Sequence, residues 1–460
     1  MRLQRWMVGL VIALSLVASP AWADVAIGDL GKTLDKVTLG MDLSTFYRAD
    51  SNPYYGAPIG GAYASDKTSA NWGELFAVLR LTAEKDFSWA KVTGQFAPYY
   101  TQTIDQDAYG VAKDQGSLDV DQAWIKFGQI KGGPFSLTLG RQDLHLENWL
   151  VVADGEGQDQ AVWLNFHDSF PFAVRLDGDF GKLKSTLYWA HSDKYVQKWD
   201  ETFLFGPVNG IEIAGLDLHY DFNDANYVFA GVHQKFDKEQ RTTDDNIYLG
   251  PGLVAQNNTT ALDLGAHVTL GGLLLEGEGV YQTGSAGELA GQKRDRKAFG
   301  GFGSATYNIP VKYAPYVRGS YFYFSGDKNP ADDKAEDYDP MFSGFSAWNR
   351  FTIGEISGEL HLPNSNKKTA LAEVGFSPLD NVFVSLHYLN QKLAENYWLF
   401  VPTSSDDWAN EVNLFVDTPV NDNLFVHVGT GVSVPGDAAK EIFGSDKNDV
   451  FGQIWIKYSF

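Results

Sequence analysis

Charged residues in this chain fall at alternate positions within apolar runs, a spacing suited to a wetted wall rather than to a compact catalytic centre. The basic candidates are Arg80, Lys91, Lys126, Arg141, Arg175 and Arg318; the acidic ones are Asp177, Asp263, Glu276 and Glu278. Lining an aqueous bore, such side chains would guide or exclude ions and so set selectivity. The competing reading is a ladder of salt bridges that simply keeps the wall wet. His219, His233, His267, His387 and His427 fall on the same face, but no His-x-His or His-x3-His pair gives them the spacing of a metal site. Asp327, Asp332, Asp333, Asp337 and Asp339 crowd one loop and offer hard oxygen ligands for calcium, or for divalent bridges to lipopolysaccharide. They lack the order of an EF-hand, and a solvated acidic outer loop is the favoured reading of them. No other cofactor is expected. G-x-S-x-G, H-E-x-x-H and P-loop motifs are absent, and with no cysteine there is neither thiol catalysis nor a disulfide staple, so the sequence does not read as an enzyme.

The elements that position these charges are period-two segments. Val37, Leu39, Met41 and Leu43 alternate with Thr38, Gly40, Asp42 and Ser44; Leu75, Ala77, Leu79 and Leu81 alternate with Phe76, Val78, Arg80 and Thr82. Leu262, Leu264, Ala266 and Val268 oppose Asp263, Gly265 and His267. Leu275, Gly277, Gly279 and Tyr281 oppose Glu276 and Glu278, and Val382, Val384, Leu386 and Tyr388 oppose Phe383, Ser385 and His387. In the last segment Ile454, Ile456, Tyr458 and Phe460 share one face. Tyr458 and Phe460 resemble the C-terminal signal by which the barrel-assembly machinery recognises outer-membrane barrels.

Tight turns fall near 86–88, 131–133, 181–182, 223–225, 271–272, 308–310, 378–380 and 421–423. They alternate with longer polar connections near 50–71, 104–117, 147–170, 194–210, 237–258, 284–295, 327–367, 392–409 and 436–448. Seventeen connections join about 18 strands, which predicts an all-β, up-and-down antiparallel transmembrane barrel with short periplasmic turns and long extracellular loops. The segment 160–166 also alternates, but a strand there would break the rhythm, so it is assigned to a loop. Arg141 is the awkward position. Strict alternation from Leu137 and Leu139 points it at lipid, at a cost of about 2–4 kcal/mol at the midplane, so it is expected near a strand end or at a bulge that turns it inward.

Composition supports the same fold. The chain has 30 Phe, 22 Tyr, 13 Trp and 47 Gly in 460 residues, which fits aromatic girdles and strands in which only alternate side chains meet lipid. Arg2 and Arg5, the apolar stretch from Met7 to Ala18 and the small-residue site Ala21-Trp22-Ala23 read as an export signal over 1–23, leaving 24–460 as the barrel. The net charge of −22 argues against nucleic-acid partners. The partners expected instead are outer-membrane lipid, lipopolysaccharide, the assembly machinery and a polar solute, in the outer membrane of a Gram-negative bacterium; the oligomeric state stays open. A barrel this wide is not filled by its own side chains, so an aqueous channel is expected, with enough loop for a constriction.

Two stretches carry a family resemblance. Gln122-Ala123-Trp124-Ile125-Lys126-Phe127, a glycine turn and Leu137-Thr138-Leu139-Gly140-Arg141-Gln142 form the first; Ser325-Gly326-Asp327 ahead of Asp337-Tyr338-Asp339-Pro340-Met341-Phe342 forms the second. Both resemble the alginate-export family of outer-membrane porins, which implies an 18-stranded barrel and diffusion of an anionic polysaccharide. The mixed charge of the inward positions departs from the electropositive constriction that a polyuronate needs. The alternatives are a small-solute porin and a non-conducting scaffold or adhesin.

Overall fold

A wall with oil outside and water inside must satisfy every backbone N–H and C=O between its own strands, and must close. The computed structural model has its wall strands paired in one continuous ladder that closes on itself. It describes residues 34–57, 69–106, 113–156, 160–161, 163–164, 167–192, 210–237, 241–242, 253–289, 292–329, 332–343, 354–362, 364–398 and 401–460. The predicted export signal lies outside these.

Eighteen long strands build the wall: β1 (Lys36–Ser51), β2 (Ser69–Phe87), β3 (Ala90–Gln106), β4 (Lys113–Gly128), β5 (Phe135–Gln142), β6 (Phe170–Phe180), β7 (Leu183–Ser192), β8 (Ile211–Asn223) and β9 (Asn226–Asp237) in the first half. The second half comprises β10 (Leu253–Leu270), β11 (Leu273–Leu289), β12 (Gln292–Asn308), β13 (Tyr316–Phe324), β14 (Lys367–Leu379), β15 (Val382–Leu393), β16 (Asp407–Pro419), β17 (Leu424–Pro435) and β18 (Asp449–Ser459). Each pairs antiparallel with the next. β1 closes on β18 through pairs such as Thr45↔Ile456, and reciprocal bonds between Met41 and Phe460 (2.9 and 3.0 Å) continue the seam. Gly181 and Gly271 take the left-handed conformation that their two-residue turns require (φ 82° and 61°).

Two connections are shorter than the sequence predicts. The polar stretches assigned to loops near 104–117 and 284–295 continue the ladder: β11 and β12 run 17 residues each, and β3 and β4 reach Gln106 and Lys113. Strands outside the hydrocarbon gain hydrogen bonds without needing an oily face, so the pattern fades before the pairing does. Ala161, Trp163 and Leu164 belong to no strand, in keeping with their assignment to a loop.

The outward face is apolar and bare, with Leu264 66% and Leu262 48% exposed to what would be lipid. The inward face is not uniformly polar. On the loop side of the bore, Phe46, Trp72, Phe76, Tyr99, Tyr188, Phe322, Phe324 and Leu371 are buried. This corrects the expectation of a wet inner wall from end to end. The loops fold in, and an infolded loop needs apolar wall to pack on.

Candidate functional site

Among the described residues two large apolar clusters form where loops meet wall, beside a small one of Ile356, Phe415 and Phe451. In one, Leu144, Leu150, Val151 and Val152 of the β5–β6 loop and Tyr338, Met341 and Phe342 of the β13–β14 loop pack on Phe170, Tyr188, Phe302, Phe322 and Leu371. The two loops join each other through a bridge from Val152 to Phe342, with Ala153 N–H donating to Phe342 O at 2.7 Å. In the other, Tyr54, Tyr55, Trp163, Leu164, Leu362 and a short helix α1 (Asp437–Phe443) pack on Phe46, Trp72 and Trp408.

Wall carboxylates tie these segments down by their backbone. Glu74 accepts from the N–H groups of Trp163 (3.1 Å) and Leu164 (2.8 Å); Glu411 accepts from those of Ile356 (3.1 Å) and Ser357 (2.8 Å). Successive N–H groups in a turn form an anion nest, and here a buried side chain fills it. Arg48, fully buried, reaches Asp50 (3.0 Å), Glu355 (3.2 Å) and Gln453 (3.0 Å) while its guanidinium lies 4.2 Å from the Trp163 ring. One guanidinium therefore joins two infolded segments to the wall. His361 sits among the rings of Tyr54, Tyr55 and Phe443, and burial, with Arg48 adding to it, lowers its pKa to about 3.

The predicted charges sit mainly as ion pairs. Arg80 pairs with Asp42, Lys91 with Glu84 (2.8 Å), Arg175 with Asp177 (2.8 Å) and Arg318 with Glu373 (3.1 Å). At Arg141 a bulge between Gly140 and Gln142 breaks the alternation, and the guanidinium meets Glu156 at 2.9 Å and His167 at 3.3 Å. Each of the seven arginines whose side chains are described, 48, 80, 141, 175, 294, 296 and 318, has a carboxylate partner. Lys126 is half-buried on β4 opposite Thr93 and Thr138. Glu276 meets His267 at 3.0 Å, Asp263 meets His233 at 3.1 Å, and Glu278 accepts from Asn148 at 2.9 Å.

The acids of the β13–β14 loop do not gather into a calcium cradle or a solvated patch. Asp327 is buried against Arg294, Asp337 lies 3.5 Å from Arg296, and Asp339 is buried against Lys235 at 2.6 Å. Asp332 accepts from the Lys334 N–H, and Asp333 lends only its carbonyl, to Asp295. Burial opposes ionisation of Asp339, but Lys235 and Arg296 outweigh it and hold its carboxyl well below the usual range. Three of these acids are drawn to wall cations, Asp327 and Asp337 to β12 and Asp339 to β9, which sequence clustering cannot reveal. Reasoning along the chain also missed Glu74, Glu411 and Arg48. In the sequence they look like any other polar residue of a strand.

The sequence pattern of a protein family described as alginate export matches residues 86–453. A comparison with curated protein sequences finds no match. Among solved structures, the chain is similar to OccAB2 of Acinetobacter baumannii (12% identity, 94% of this chain and 99% of that one, TM-score 0.58). It is also similar to OccK2 of Pseudomonas aeruginosa (13% identity, 93% and 98%, TM-score 0.56) and to a BenF-like porin of Pseudomonas fluorescens Pf-5 (9% identity, 93% and 99%, TM-score 0.57). Those identities speak for a shared fold.

Proposed function

Because the chain belongs to the alginate export family of non-enzymatic outer-membrane porin-like barrels, we propose that it is a passive diffusion channel, narrowed by its infolded loops, for small polar solutes that are neutral or positively charged. The observation that carries this reading is the pairing of each of the seven arginines whose side chains are described with a carboxylate. A paired guanidinium contributes little net field, and a bore without net positive potential does not concentrate a polyanion. On this reading Arg80, Arg175 and Arg318, with Asp177 and Glu373, line a wall of alternating sign, and Lys126 is a candidate for a free lumenal cation.

A second reading, diffusion of an acidic polysaccharide, is supported by the family match and by the resemblance of the stretches 122–142 and 325–342. Liposome swelling separates the two. Purified barrel in vesicles should admit neutral sugars and exclude uronate oligomers; preferential entry of uronates would replace the first reading by the second. Absence of swelling with any solute would favour a scaffold.

A further inference from the structure

We propose that Asp217, His233 and Asp263 form a binding site for one divalent metal ion of the Zn²⁺ type on the inner wall, closed by Glu147 of the β5–β6 loop. The site borders the Arg175–Asp177 pair on the inner wall and stands whichever solute the channel carries.

Three neighbouring strands build it. Asp217 on β8 and Asp263 on β10 both pair with Gly231 on β9, so the two carboxylates sit at one level on either side of a residue without a side chain. His233, two residues along β9, lays its ring into that gap. A Cβ on Gly231 would stand 2.2 Å from Asp263 Oδ1 and 2.3 Å from His233 Nε2, so anything larger than glycine displaces the ligand atoms themselves. The opposing Gly215 leaves room in the same way: a Cβ there would stand 2.8 Å from His233 Nδ1 and 2.7 Å from the Tyr188 hydroxyl. One ligand atom from each of Asp217, His233 and Asp263 lies within 4.8 Å of the others, and all three residues are buried.

The charge at Asp217 points to a cation. The residue is 95% buried (5% exposed), and its Oδ2 has no hydrogen-bond partner. Its strongest charged neighbours, Glu147 and Asp263, are acids too, and Glu278 adds to the same field. The cation that reaches it, Arg175, directs its Nε to Asp177 at 2.8 Å. A buried carboxylate whose one side-chain hydrogen bond is with another acid, Glu147, is costly, and a dication in place of the shared proton would offset that cost.

The donor set selects the metal. Two or three carboxylates with one imidazole suit Zn²⁺, whereas Ca²⁺ prefers oxygen ligands throughout. Tyr188 supplies the outer hydrogen bond: its hydroxyl lies 2.7 Å from His233 Nδ1. With Nδ1–H donating to Tyr188, Nε2 presents its lone pair to the ion. Asp263 Oδ1, 3.1 Å from Nε2, and Nε2 would then share the ion in place of a proton. Through Glu147 and its neighbour Asn148, which donates to Glu278, the ion would also pin the β5–β6 loop to the wall.

The test uses the full chain in detergent, stripped with a chelator and titrated calorimetrically with Zn²⁺ and separately with Ca²⁺. The expected result is one saturable Zn²⁺ site and at least tenfold weaker binding of Ca²⁺. Asp217→Asn and His233→Ala should each weaken Zn²⁺ binding at least tenfold. His145→Ala, which disrupts a more exposed Asp143–His145–Asp168 group, should leave it unchanged. X-ray absorption at the zinc edge of the wild-type protein should show one imidazole among oxygen ligands, a readout that survives if a variant fails to fold. No saturable Zn²⁺ site, a site lost in His145→Ala but retained in Asp217→Asn, or a coordination sphere lacking imidazole would overturn the proposal.

Discussion

Replacing Arg48 by Met tests the infolded plug at its most connected point. Methionine keeps much of the stem's volume and removes the charge. Asp50 and Glu355, both buried, then lose the guanidinium that holds them at 3.0 and 3.2 Å. Breaking one side of a buried pair costs about 3–5 kcal/mol, because the remaining charge stays in a poor solvent. The lost contact with the Trp163 ring at 4.2 Å adds about 1–2 kcal/mol. The strand ladders on either side of Arg48 run through the backbone and do not use its side chain, so the barrel itself should stand. The cheapest relief is for Glu355 to swing out into water with its loop. A shift of about 3–5 kcal/mol moves the ratio of docked to undocked plug by roughly two to three and a half orders of magnitude. Single-channel recording should therefore show a larger mean conductance with frequent long openings. A triple variant that also carries Asp50→Asn and Glu355→Gln should return most of the way to wild type. A folded Arg48→Met barrel with wild-type conductance and noise would refute the reasoning.

Three further outcomes are expected. Burial holds the docked His361 neutral, with a pKa lowered to about 3, while the undocked ring titrates near its ordinary value of about 6.5. Docking is then strongest above about pH 6.5 and weakens as pH falls toward 3, because only the undocked state takes up the proton. Conductance should accordingly rise on acidification, and His361→Phe, whose ring suits the cage of Tyr54, Tyr55 and Phe443 beside Arg48 and Asp449, should flatten that rise; an identical pH profile in the variant would contradict the assignment. Leu264→Arg places a charge on the bare outward face and should cost about 2–4 kcal/mol in a urea titration of folding into vesicles, whereas a change under about 0.5 kcal/mol would place that face away from lipid. Gly140→Ala puts a methyl 2.3 Å from the Ala123 carbonyl at a φ of 120°. It should destabilise the bulge by about 1–3 kcal/mol, lower the melting temperature and loosen the Arg141–Glu156 pair; an unchanged melting temperature would count against that account.

The wall was legible because lipid imposes one rule on every strand. Leu262 and Leu264 outside, Asp263 and His267 inside, need nothing but alternation to be placed. Loop length foretold a constriction, but where the loops dock was not legible, for the opposite reason. Phe46, Trp72 and Phe76 occupy inward positions yet are apolar, since they pack on loops instead of facing water, and no local pattern says which loop will come. The polar ties are equally hidden. Glu74 and the backbone of Trp163 are neighbours only after a loop enters the bore, and Asp217, His233 and Asp263 become one cluster only after three strands take their register. Spacing along the chain dismissed a histidine metal site, although neighbouring strands bring ligands together at any sequence separation. The crowded acids from Asp327 to Asp339 mislead in the reverse sense. Close in sequence, they are pulled apart by Arg294, Arg296 and Lys235.

The central claim is a conducting bore whose guanidinium groups are neutralised by their neighbours. The reversal potential of single wild-type channels in a KCl gradient across a planar bilayer tests it most directly. The account predicts measurable conductance with weak selectivity or a preference for K⁺. A strong preference for Cl⁻, or a folded barrel that passes no current at all, would contradict it.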